Sequence, residues 1–198
     1  MNTKNVILKA FEREKRGLKL INTEEYLVVG HIKKADHNLI VMTDLSRLKH
    51  EDWVVVVAYY SMYQAALALL AKVGLESKEH LATVAVLEHF FSKQISKELI
   101  KRFNELKEKQ DSIESIFLEE KYLDYLWKIK IARESVQYGI DINYKETEKV
   151  MKNARDFVSR IKLVINELDE DMIKIIINEI KNLEGLIKDR RRENEKMY

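Results

Sequence analysis

The sequence predicts an all-α protein built around one almost wholly apolar helix, from Glu51 to Val73. Three observations predict it. The 198 residues contain no proline and only five glycines, whereas a β-sandwich or barrel of this length needs many turn residues. Hydrophobic residues make up 46% and charged residues 34%, which suits a sizeable core under a heavily charged surface. Apolar residues then recur at helical spacing along most of the chain.

The elements follow in order. Asn2 to Arg16 reads as a short helix with Val6, Ile7, Ala10 and Phe11 on one face, ended by Gly17. A second helix is expected from Asn22 to about Arg47. Asn22 and Glu25 have capping-box spacing, and Leu27, Val28, Ile32, Ala35, Leu39, Met42 and Leu45 form its inner face. In the third, Trp53, Val54, Val57, Ala58, Tyr59, Met62, Ala65, Ala66, Leu69 and Leu70 cover most of the circumference. A helix apolar all round is normally buried on all sides. Gly74 stops it, and Leu75 to Lys78 reads as a connector.

Glu79 to Ser92 reads as a fourth helix. A fifth begins at Ser96 and Lys97, with a charged middle at Asn104 to Ser115, and strong periodicity resumes from Ile116 to Tyr138. Gly139 to Asn143 is a turn, and Tyr144 to Leu168 an amphipathic helix. Asp169 to Tyr198 is a last helix, whose Ile173, Ile176, Ile180, Leu183 and Ile187 form a short heptad seam for docking onto the bundle or a second copy. The expected organisation is an N-terminal helix (1–21), a helical bundle (22–168) and a long C-terminal helical extension (169–198).

With no cysteine, disulfides, thiolate metal sites and cysteine nucleophiles are excluded. Asn2 to Arg16 lacks the apolar segment of a secretory signal. The apolar runs are short, Val54 to Tyr60 being only seven residues, and cannot span a bilayer, so no membrane partner and a cytoplasmic location are expected. A net charge of +2 argues no nucleic-acid surface by itself. His31, His37, His50, His80 and His89 form no metal-ligating pattern with the carboxylates, and no phosphate loop or serine elbow occurs. No metal and no cofactor are expected.

Four constellations remain, each with two readings. Tyr59, Tyr60 and Tyr63 either fill the core or send one ring to a groove. Ser77-Lys78-Glu79-His80 is either a polar helix start or an anion site at a helix N-terminus, with Lys78 and His80 on a phosphate. Arg133 and Gln137 share a helix face, and Arg133 either pairs with a carboxylate or faces a phosphodiester, helped by Gln137 or Tyr138. Lys188, Arg190, Arg191, Arg192 and Lys196 are either a solvated helix end or a nucleic-acid contact.

Two segments together resemble the signature of HEPN-domain proteins, above all the small stand-alone ones of archaea and bacteria. They are Ala58-Tyr59-Tyr60-Ser61-Met62-Tyr63-Gln64-Ala65-Ala66-Leu67 and Gly74-Leu75-Glu76-Ser77-Lys78-Glu79-His80. Ala132-Arg133-Glu134 to Tyr138-Gly139 and Ala154 to Val158 resemble the family's C-terminal half, and the likeness runs from Tyr26 to Leu168. It implies an antiparallel up-and-down bundle that forms a homodimer, with a cleft near the interface for a nucleotide or RNA. It also implies a possible nucleotidyltransferase partner in a toxin–antitoxin or defence setting.

Active family members are metal-independent ribonucleases with an Arg-x(4–6)-His motif, in which His is general acid or base and Arg stabilises the phosphorane. Arg133 takes the Arg position, but Tyr138 stands where His is expected, and a phenol with a pKa near 10 is a poor base at neutral pH. Arg133 and Tyr138 are the candidate catalytic pair. Tyr60, Tyr63, Lys78, His80, Arg133 and Gln137 are the candidate nucleotide- or RNA-binding set. The expected function is nucleotide or RNA binding without the standard ribonuclease motif. The alternatives are a ribonuclease using Arg133 with a displaced acid or base such as His80, and a non-catalytic interaction module.

Overall fold

The computed structural model describes residues 2–13, 16–92, 116–138 and 146–195, with side chains to 189. Seven helices and two short strands occur among them: α1 (Thr3–Glu12), β1 (Leu18–Leu20), α2 (Glu25–Arg47), α3 (Glu51–Lys72), β2 (Leu75–Ser77), α4 (His80–Phe91), α5 (Glu120–Tyr138), α6 (Thr147–Glu167) and α7 (Glu170–Glu195). The all-α bundle is borne out. The expected charged stretch 104–115 and the turn 139–143 lie outside the described residues.

α3 is the central helix. Val54, Ala58, Met62, Ala65, Ala66, Ala68, Leu69 and Leu70 are fully buried on it. Its apolar faces admit neighbours on all sides, and its alanines let them come close. α2 runs antiparallel along it, shown by Lys72–Glu25 at 3.9 Å, His31–Gln64 at 2.8 Å and the Ser61 hydroxyl donating to the Ala35 carbonyl at 2.8 Å. That last bond puts α3 against the α2 backbone and satisfies a buried hydroxyl at once. α6 packs against α3 and also along α2, to which it runs antiparallel, with Lys162 on Asp36 at 2.6 Å and Arg155 donating to Thr43 at 3.1 Å.

α3 is long and apolar enough to cross a membrane by length and composition alone, contrary to the expectation drawn from its longest uninterrupted run. Yet 78% of its most apolar window is buried inside the fold. Its own bundle occupies the surface that lipid would need.

Two features differ from expectation. First, α2 starts at Glu25, and Asn22 and Glu25 form no capping box; Glu24 caps without a side-chain bond. The cause lies upstream. β1 pairs antiparallel with β2, Leu18 opposite Ser77 and Leu20 opposite Leu75, and Ile21 N–H extends the run by donating to the Gly74 carbonyl at 2.9 Å. Second, this ribbon replaces the expected connector at Leu75–Ser77. Strands of three residues are too short to show any period. Gly74 makes the turn possible, with φ +73 in the left-handed region that β-carbons disfavour. Gly17 lies so close to the Ala10 carbonyl, at the end of α1, that no β-carbon would fit there.

α7 begins with Asp169 accepting from Met172 N–H at 2.9 Å. Met172, Ile176, Ile180, Leu183 and Ile187 are buried, so the seam docks within its own chain, partly against α1. Ile173 is only partly buried. The ribbon matters most for function, because it delivers the start of α4 to the flank of α3.

Candidate functional site

The site grows from two helix spacings and one strand. On α3, Tyr59 and Tyr63 are four apart and share a face. Their rings stack at 5.9 Å between centroids, 14° from parallel. β2 ends at Ser77, so His80 opens α4 directly beside them. The Tyr59 hydroxyl bonds to His80 Nδ1 at 2.5 Å, and the imidazole lies against Tyr63 at 4.3 Å. From α5, Arg133 lays its guanidinium over the Tyr59 ring, Cζ 5.1 Å from the centroid, in a cation–π contact.

Arg133 is 8% exposed, which is rare for arginine unless it is paired. Nη1 donates to Gln137 Oε1 at 2.7 Å, while Nη2 meets Glu134 Oε1 at only 3.4 Å. The better partner of Glu134 is Lys130, at 2.8 Å. Arg133 Nε is buried and has no partner among the described residues. Two cations therefore face one carboxylate, and one guanidinium donor is idle.

Burial pushes the Tyr59 phenol far above its usual pKa, reinforced by Tyr63 and opposed by Arg133. Burial also raises Tyr63. For His80, burial first and then the Arg133 and Lys130 charges depress the pKa below 6.5, against a small opposing effect of Glu134. Those surroundings favour the neutral imidazole. Glu134 is held below the usual carboxylate range, chiefly by Lys130.

Of the expected binding residues, Tyr63, His80, Arg133 and Gln137 come together. Tyr60 sits at the edge, 36% exposed and edge-on to Tyr59 at 5.5 Å. Lys78 points to the surface and pairs with Glu76 at 3.4 Å. The expected catalytic pair is separated: Tyr138 is 77% exposed. Five helical residues turn through about 500°, so Tyr138 leaves the helix about 140° from Arg133. Gln137, four residues on, stays on the Arg133 side. The side chains of Arg190, Arg191, Arg192 and Lys196 lie outside the described residues.

Tyr59 stands at the centre although the sequence reading favoured Tyr60. Its four-residue spacing to Tyr63 was the available signal. Lys130 and Glu134 were missed too, though their i, i+4 spacing on α5 was the available signal. Among the described residues no group of His, Asp and Glu is arranged to hold a metal ion.

The chain is thus an all-α bundle whose site sets a buried arginine on a tyrosine flanked by a histidine. The family model described as HEPN domain matches residues 28–171, and the chain belongs to the HEPN-domain family. No curated protein matches it.

Proposed function

We propose that this HEPN protein binds the phosphate of a nucleotide or RNA at Arg133 and does not carry out the standard ribonuclease reaction of the family. One observation carries the reading. A nine-tenths buried guanidinium keeps an unpaired Nε–H donor, beside a half-buried histidine and an exposed tyrosine edge. A buried donor without a partner is costly, and a phosphate oxygen is a natural guest for it. Tyr60 is placed to meet a base or ribose at the rim. The missing ribonuclease step follows from Tyr138, which points away from Arg133. Assembly as a homodimer, and pairing with a nucleotidyltransferase in a toxin–antitoxin setting, rest on the family alone.

The test is calorimetric titration with nucleoside monophosphates and short RNAs. Binding should weaken ~10–100-fold in Arg133→Ala, as expected for a charge-assisted hydrogen bond. Melting of each variant controls for folding. Equal affinity in wild type and a folded Arg133→Ala would sink the assignment.

A further inference from the structure

We propose that Tyr59 is a positioning residue that locks His80 into its Nε2–H tautomer, making the imidazole a fixed neutral donor to a phosphate oxygen beside Arg133. The inference rests on the reading of this site as a phosphate site, but its first test does not.

The geometry assigns the proton. Tyr59 is 1% exposed, and its hydroxyl meets His80 Nδ1. Two arrangements satisfy that contact. In one, the imidazole Nδ1–H donates to the phenol oxygen, and the phenol proton is left with no acceptor. In the other, the phenol donates to a bare Nδ1 and both groups are satisfied. Buried donors are rarely abandoned, and the phenol stays protonated because burial raises it. Tyr59 is therefore the donor, Nδ1 the acceptor, and the ring proton sits on Nε2. Nothing among the described residues is bonded to Nε2.

The surroundings fix the charge state. From α3, Tyr59 and Tyr63 cover the ring. From α5, Arg133 and Lys130 repel a second proton, and Glu134 favours it more weakly. A neutral imidazole with its proton on Nε2 has no lone pair there to act as a base, and it is a poor acid. It can donate one hydrogen bond. Arg133 lies on the face of the Tyr59 ring and His80 at its hydroxyl, so one phenol spaces two donors. Such a pair suits an oxyanion held without cleavage, and it leaves His80 unsuited to replace the missing catalytic histidine.

Long-range 15N–1H correlation of free protein at pH 7.5 reads the tautomer of His80 directly. A protonated Nε2 with a bare Nδ1 is expected. A protonated Nδ1, or an even mixture, overturns the inference while leaving phosphate binding at Arg133 standing. In Tyr59→Phe the signal should relax to a mixture, and affinity for adenosine 5′-monophosphate should fall ~3–10-fold. His80→Gln, whose side-chain amide sits where Nε2 was, should bind within ~3-fold of wild type, and His80→Asn should not. Equal loss in both overturns the donor role. If no nucleotide binds wild type, the phosphate reading fails and the donor role falls with it, while the tautomer measurement still decides the lock. If Tyr59→Phe does not fold, the wild-type spectrum and the His80 pair decide.

Discussion

The two ends of α4 carry the same pairing of histidine and hydroxyl in different settings. At its start, His80 Nδ1 meets the Tyr59 hydroxyl. At its last turn, His89 Nδ1 meets the Thr3 hydroxyl at 3.3 Å. Burial is the first cause of a depressed pKa in both. The charges around them differ. His80 faces two cations and one carboxylate, whereas His89 has Lys4 opposed by Glu179. His89 packs edge-on to Phe90 at 4.8 Å and helps tie α1 to α4. One end of the helix concentrates positive charge beside an idle donor; the other balances charge inside a packed joint. The same side chain therefore lies in a cation-rich setting at one end, which suits the proposed anion site, and in a packed joint at the other.

The strongest way to break this comparison is to empty the packed end. Phe90 is 2% exposed, and truncating a buried phenylalanine costs ~3–5 kcal/mol. In a chain of this size each kcal/mol lowers Tm by ~2–4 °C. Phe90→Ala should thus lower Tm by on the order of 10 °C while leaving nucleotide affinity of the folded fraction within ~2-fold. A matching loss of affinity would show that the two ends are not separable.

A smaller effect comes from pH. Both histidines hold folded pKa values below 6.5, so the unfolded chain takes up protons that the folded chain resists. Their contribution to stability is fully present above pH 6.5 and is lost as pH falls through the folded values. Tm should therefore decline from pH 7.5 to pH 5.5. His80→Gln and His89→Gln should each flatten the decline. A slope unchanged in both variants would remove the histidines as its cause.

These contrasts were partly legible in the sequence. The α3 core was, because apolar residues cover most of the circumference of one helix from Val54 to Leu70. The α2 start was misplaced, because Asn22 and Glu25 satisfy a local rule that a strand overrides from Gly74, fifty residues away. His80 and Arg133 were readable from type and spacing, but their meeting across Tyr59 was not. It depends on a ribbon of three-residue strands that carries no periodic signal. Tyr59 itself was masked by its neighbour, since Tyr60 looks equivalent until the helix phase is fixed. The idle Nε of Arg133 depends on Glu134 pairing better with Lys130, a competition that residue spacing alone does not rank.

The smallest predicted effect is at Lys78, and it separates two ways of seating the same anion. Lys78 is on the same short segment as His80, and the sequence admits it as a phosphate ligand at the start of α4 or as part of a polar helix start. In the structure its side chain is 58% exposed and paired with Glu76. Exposed pairs contribute ~0–1 kcal/mol, and charges more than about 8 Å apart are largely screened at 0.15 M salt. Lys78→Ala should therefore weaken nucleotide binding by no more than ~3-fold at 0.15 M salt, and the difference should vanish at higher salt. The Arg133→Ala deficit should persist there, because a buried donor is screened far less. If Lys78→Ala instead matches Arg133→Ala at every salt concentration, the anion sits on the first turn of α4, and the Tyr59-spaced pair of donors is not what holds it.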